Sequence, residues 1–220
     1  MTSPAALATI TASCGLITAA VWLYGLPRLG EPADGNTEGK IPYADLARPR
    51  VAAIVAVLSA AATWLAVSNV PVSALPPWLV LSTLGVALAG VDGYTTWIPA
   101  RPTRWTWLLM AAAVAATVVL GASWTDLIRM VVGAAAVGGL YLLLWAITRG
   151  GFGFGDVRYV PLVAAPAAAI SIDTLIAAML AGTLLALGHG LWHHATHCTG
   201  LQPWAPALTL GAFVAAAATA

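Results

Sequence analysis

The run Leu127–Ile147, LIRMVVGAAAVGGLYLLLWAI, carries a single charge, Arg129, and is long enough to cross a bilayer as one helix. About 20 mostly apolar residues cover roughly 30 Å of hydrocarbon. A helix that is apolar on every side belongs in a large core or in lipid, so this stretch makes membrane the solvent for the rest of the chain. Outward from it, the sequence divides into further apolar stretches separated by charged or Pro/Gly-rich breaks. Eight spans are expected, roughly Ala5–Tyr24, Val51–Val67, Trp78–Val91, Trp105–Gly121, Leu127–Ile147, Val160–Ile172, Leu175–Trp192 and Ala205–Ala220. The expected fold is all-α, a polytopic membrane helix bundle forming a single domain over residues 1–220. The third and sixth spans are short, as suits helices that begin or end inside the bilayer at a site. Trp78, Trp105, Trp124, Trp145, Trp192 and Trp204 fall near proposed ends, where interfacial aromatics belong.

Composition agrees. Hydrophobic residues make up 60% of the 220 and charged residues only 8%, whereas a soluble domain carries about 25% charged residues. A net charge of +1 leaves no dense basic stripe for phosphate, which argues against a nucleic-acid partner. Cys14 and Cys198 stand alone and far apart, so neither a disulfide framework nor a paired-cysteine zinc site is readable. The apolar N-terminus lacks the basic region of a cleavable signal and reads as the first span.

Orientation follows from the basic residues. With both termini outside and eight alternating spans, Arg28, Lys40, Arg48, Arg50, Arg101, Arg104, Arg149 and Arg158 all fall on the cytoplasmic side. Arg129 alone does not. This segregation is the positive-inside bias, and it places the protein in the cell (plasma or inner) membrane as a multi-pass protein with the lipid bilayer as its surroundings. The segment at about 26–50 is the one long cytoplasmic loop. Its Pro and Gly residues and mixed charges make it an irregular arm able to cover a site.

In this topology the eight acidic residues sort sharply. Glu31, Asp34, Glu38 and Asp45 lie in the first loop, and Asp126 and Asp173 sit at external turns. Asp92 and Asp156 remain, each at the cytoplasmic edge of a short span. An ionisable group at membrane depth is costly and marks function by default. The bland alternative is a pair of solvated turn carboxylates that cap helices, with Asp156 as the N-cap of the sixth span. The neighbours favour function. Asp156 closes Gly151-Phe152-Gly153-Phe154-Gly155-Asp156, where alternate glycines let a peptide backbone come close. Asp92 ends Gly90-Val91-Asp92 and precedes Tyr94-Thr95-Thr96-Trp97-Ile98-Pro99, whose proline marks a break before a basic loop.

These residues resemble a family. Gly153-Phe154-Gly155-Asp156, continued by Val157-Arg158, is similar to the GxGD signature of type IV prepilin peptidases and the related archaeal preflagellin peptidases. Asp92 with Ile98-Pro99 resembles that family's first aspartate, and Pro203-Trp204-Ala205-Pro206 resembles the proline-framed start of its last helix. The resemblance runs in matching order over about 85–220. Arg158 stands where lysine is usual, Trp97 where arginine is usual and Ala100 where asparagine is usual. The zinc-binding methylation region of bifunctional members, with its paired CxxC motifs, has no counterpart here. The resemblance therefore implies an aspartic endopeptidase without a methyltransferase module. Its catalytic residues would be Asp92 and Asp156. Gly153, Gly155, Arg158 and Pro99 would position substrate, and no metal or other cofactor is called for. The implied substrate is a prepilin or pseudopilin, cleaved after a glycine where its leader meets its hydrophobic helix at the cytoplasmic membrane face.

Two carboxyl groups facing one another in a low dielectric share one proton, so one can activate water while the other polarises the scissile carbonyl. The pair titrates as a unit, which leaves the two roles unassigned at this point. Arg158 has an ordinary reading as a snorkelling interfacial arginine. His189, His193 and His197 would share a helix face beside Cys198, a spacing compatible with a metal but read here as a polar end to the seventh span. The rival class is a small polytopic transporter or a pilus-assembly membrane protein using the same aspartates as ion ligands. Their place beside basic loops, not in mid-helix, speaks against it.

Overall fold

The computed structural model describes residues 3–30, 41–149, 153–196 and 202–219, and among these every regular element is helical. The helices are α1 (Pro4–Ala20), α2 (Tyr43–Leu46), α3 (Pro49–Asn69), α4 (Leu75–Val80), α5 (Val86–Thr95), α6 (Ala100–Val119), α7 (Trp124–Ile147), α8 (Phe154–Ile170), α9 (Ile172–Ala195) and α10 (Ala205–Ala218). α1 runs on through a wider π turn and a 3₁₀ turn to Arg28, and a 3₁₀ turn (Val72–Ala74), α4, a π turn (Leu81–Gly85) and α5 form one continuous helix, Val72–Thr95.

The fold is an all-α bundle with the apolar helices of a membrane protein. Among the described residues, five helices are long and apolar enough to span a bilayer: Pro4–Arg28, Pro49–Asn69, Val72–Thr95, Trp124–Ile147 and Ile172–Ala195. Eight such spans were expected, and the other three fall short for local reasons. α6 opens on Ala100-Arg101-Pro102-Thr103-Arg104, two charges in its first turns. α8 has 17 residues and stops at Ser171, whose side chain accepts the Thr174 N–H and so starts α9 at once. α10 has 14 residues. The third span differs in the other direction. It is 24 residues long, because the Pro76-Pro77 pair lies at a helix start, where a missing N–H costs little, and the π turn at Leu81–Gly85 passes the helix on unbroken.

Small residues and short polar side chains set the packing, as in lipid, where close approach and interhelical hydrogen bonds replace hydrophobic burial. The hydroxyls of Thr18 on α1 and Ser59 on α3 meet at 2.8 Å. Thr63 on α3 donates to Ser82 in the π turn at 3.0 Å. α9 and α10 cross at Gly182 and Gly211, so closely that a Cβ on Gly182 would lie 2.8 Å from Leu208 Cα. α8 is the central helix, buried almost continuously from Val157 to Ala169, with Tyr159 fully enclosed. Tyr159 donates to the Gly85 carbonyl at 3.0 Å and pairs with the Thr209 hydroxyl, joining α8 to the π turn and to α10.

Candidate functional site

Asp92 sits on α5 one turn from its end, 3% exposed. It is therefore inside a helix and not at its edge. α5 stops because Thr96 adopts a left-handed conformation (φ 57°) and its N–H closes on the Asp92 carbonyl at 2.7 Å. The chain then runs through Trp97 and Ile98 to Pro99, the N-cap of α6.

Asp156 lies in the first turn of α8, 7% exposed. The N-cap is Gly153, not Asp156 as the capping alternative required; the Asp156 N–H donates to the Gly153 carbonyl at 3.1 Å. Its carboxylate Oδ1 is buried and accepts no hydrogen bond among the described residues. The glycines explain how this turn fits. A Cβ on Gly155 would stand 3.1 Å from Ile98 Cβ, and one on Gly153 would stand 3.3 Å from Asp156 Oδ2. The turn carrying Asp156 thus lies directly on the segment that follows Asp92.

Both aspartates line one cleft of about 690 Å³. Gly153, Gly155, Arg158 and Pro99 line it too, so all six residues singled out in the sequence meet in one place. Arg158 stacks its guanidinium over the Phe154 ring at 4.6 Å, and its carbonyl accepts the Trp107 indole N–H at 2.8 Å. A second groove of about 500 Å³ between α6, α7 and α8 shares Phe154 and Arg158 with the cleft but is otherwise apolar. It is lined by neither an acid nor a nucleophile.

Two features of the site were not read from sequence. The first is Tyr43, on the short helix α2, which is buried and lines the cleft; α2 is held by the Trp22 indole N–H donating to the Leu46 carbonyl at 2.7 Å. An aromatic inside a charged loop was the available signal. The arm therefore does reach the site, while residues 31–40 of that loop lie outside the described residues. The second is the start of α10, where the Ala205 N–H donates to Asp92 Oδ2 at 3.0 Å.

The described histidines do not line the cleft. His189 and His193 occupy successive turns of α9 with ring centroids 6.1 Å apart. His197 and Cys198, like Gly151 and Phe152, lie outside the described residues.

The chain matches no protein-family model, no curated protein and no solved structure.

Proposed function

We propose that the protein is a membrane aspartyl endopeptidase of the type IV prepilin-peptidase kind, cleaving the leader of a prepilin or pseudopilin after glycine at the cytoplasmic face. The observation that carries this reading is the meeting of Asp92 and Asp156 in one cleft, although they are distant in sequence and belong to different helices. Helix caps on separate turns have no reason to converge. A hydrolase does, because one carboxyl group must take a proton from water while another polarises the carbonyl.

The lining suits a peptide. Gly153 and Gly155 line the cleft, and without a side chain at Gly155 the Asp156 turn lies against Ile98, which keeps both carboxyl groups at one cleft that a substrate strand can enter. Arg101 and Arg158 at the same cleft, with Arg104 nearby in sequence, fit a cytoplasmic opening under the positive-inside bias. In this proposal α6, α8 and α10 cross with the five longer helices to give eight spans and both termini outside. α8 would then be about 25 Å long and α10 about 21 Å, shorter than the hydrocarbon, as suits helices whose ends border a cleft.

The test is direct. Membranes containing the protein are incubated with candidate prepilins from the same cell, and the new N-terminus is mapped. Cleavage after glycine at the start of the hydrophobic stretch, abolished by Asp92→Asn and by Asp156→Asn in variants that still insert, is the expected result. Cleavage that survives both substitutions would return the aspartates to ion-ligand or structural roles.

A further inference from the structure

We infer that within the pair Asp156 carries the proton and Asp92 is the ionised base, with the start of α10 as the positioning element that separates their roles. The inference rests on the aspartyl-peptidase reading for its chemical meaning, but the placement of the proton is argued from geometry alone.

Burial does not separate the two acids, which are 3% and 7% exposed. Their hydrogen bonds do. Asp92 Oδ2 accepts the Ala205 N–H at 3.0 Å. Ala205 is the first residue of α10, and the first N–H groups of a helix have no acceptor within it. They carry the positive end of the helix dipole, and hydrogen bonds of this kind favour a carboxylate in its charged form. Pro206 follows with no N–H to give, and the donor this end supplies to Asp92 is the Ala205 N–H.

Asp156 has no such support. Its Oδ1 is buried and accepts nothing among the described residues, and its own N–H is engaged by the Gly153 carbonyl. A buried charged acceptor without a donor is costly, whereas a protonated carboxyl group becomes a donor itself. Asp156 also lies in the first turn of α8, which favours charge, yet no α8 N–H bonds its carboxylate. The other polar groups lining the cleft are Arg101, Arg158, the Tyr43 phenol, the Trp97 indole and the Thr96 hydroxyl, which donates to the Thr95 carbonyl. Arg158 is turned over Phe154, and the ion pair found among the described residues is Arg129–Asp126, so neither cleft arginine is paired with Asp156.

The chemistry closes on itself. The Asp92 carboxylate takes a proton from water as the water oxygen bonds to the scissile carbon, and the carbonyl oxygen takes the Asp156 proton. The resulting gem-diol collapses when the C–N bond breaks. Nitrogen keeps that electron pair and receives the proton held by Asp92, while a diol hydroxyl returns its proton to Asp156. Water and one peptide bond become a carboxylic acid and an amine, and both aspartates end as they began.

The sequence permits a test without mutation. Gly155-Asp156 is the chain's one Gly-Asp pair and Val91-Asp92 its one Val-Asp pair. Glycine/aspartate and valine/aspartate pair labelling therefore identifies each carboxyl carbon separately by solid-state NMR of the full-length protein in lipid vesicles. At neutral pH, Asp156 is expected at the upfield carboxyl position of a protonated acid and Asp92 at the carboxylate position. The reverse pattern, two carboxylates, or two averaged intermediate positions overturns the inference. Ala205→Pro removes the donor, and proline suits the first position of a helix. Asp92 should then shift toward the protonated position, and an unmoved Asp92 resonance removes the α10 start from the account. Should Ala205→Pro not fold, the unmutated protein still decides where the proton sits. These resonances are independent of the cleavage assay. The expected pattern together with unimpaired cleavage in both Asp→Asn variants would overturn the catalytic role of the aspartates and leave the proton placement standing.

Discussion

Arg129 on α7 donates through Nε to the Ala168 carbonyl near the end of α8 at 2.6 Å. Its Nη2 also reaches the carbonyls of Ala169 and Ile170 and the Asp126 carboxylate. The last carbonyls of a helix have no intrahelical donor, and a cation there also meets the negative end of the dipole. The one basic residue that broke the charge segregation of the loops is thus used inside the protein. Arg129→Ala should cost about 2 kcal/mol, since hydrogen bonds to a charged group contribute about 1.5–3 kcal/mol each and part of the loss is recovered by water. Reversible unfolding in mixed detergent micelles measures it. A stability equal to that of the unmutated protein would sink the idea that Arg129 anchors α8.

Tyr159 connects the two aspartate-bearing parts of the chain. Its hydroxyl donates to the Gly85 carbonyl, in the π turn just before α5, and pairs with Thr209 on α10. The bond ties the middle of α8 to the residue at which the π turn gives way to α5. Tyr159→Phe leaves the Gly85 carbonyl without this donor, and the expected loss is about 1–3 kcal/mol. Because the same bonds hold α5 against α8, cleavage per folded molecule should also fall. The same detergent titration, paired with the cleavage assay, checks both halves.

Much of this site was legible because its chemistry is local in sequence. Asp156 announces itself through the glycines around it, and Asp92 through the proline break that follows. Gly153, Gly155, Pro99 and Arg158 are their near neighbours. What stayed hidden depends on contacts between distant segments. Nothing near Ala205 says that its N–H ends on a carboxylate 113 residues away, since a backbone donor has no sequence signature. Tyr43 was hidden for the same reason. Eight spans were expected, and five helices among the described residues are long and apolar enough to cross, because hydropathy sees apolar runs and not where helices begin and end. The break between the sixth and seventh stretches was expected just after Ile172, and the Ser171 cap sets it one residue before Ile172, at the start of α9.

α9 and α10 touch where Gly182 meets Gly211. A Cβ on Gly211 would fall 2.7 Å from the Ala178 carbonyl oxygen, and backbone cannot swing aside as a long side chain can. Gly211→Ala is therefore expected to push the helices apart and cost about 1–3 kcal/mol, the usual penalty for overpacking. α10 supplies the donor to Asp92, so the same variant should also weaken cleavage. By contrast, Gly188→Ala on α9 meets nothing within 4 Å and should leave both properties intact or slightly improve stability, as alanine favours helix.

Thr96 is a β-branched residue held at φ 57°, a region such side chains rarely adopt, and it lines the cleft four residues beyond Asp92. Backbone strain of this kind costs of order 1–3 kcal/mol and persists where the surroundings enforce it. Thr96→Gly removes the strain but frees the unfolded chain, so a net gain of about 1 kcal/mol is expected. If the strained turn also fixes the direction of Asp92, stability and cleavage should move in opposite directions in this variant. A rise in unfolding free energy accompanied by unchanged cleavage would confine Thr96 to ending α5.

Gly155 and Ile98 form the contact that brings the two aspartate segments together. A Cβ at 155 would stand 3.1 Å from Ile98 Cβ and 3.4 Å from Ile98 Cγ1, tighter than ordinary van der Waals contact. Gly155→Ala should displace the Asp156 turn by a few tenths of an ångström, and larger residues by more. A displacement approaching 1 Å costs about 100-fold in rate when geometry controls the reaction. Cleavage is therefore expected to fall about 10-fold in Gly155→Ala and further in Gly155→Val, with membrane insertion unaffected. Ile98→Gly removes the atoms that a new Cβ would strike, so the double variant Gly155→Ala/Ile98→Gly should recover much of the loss. Measured as a double-mutant cycle, the two changes should couple strongly. Simple additivity would mean that this contact does not set the relation between Asp92 and Asp156.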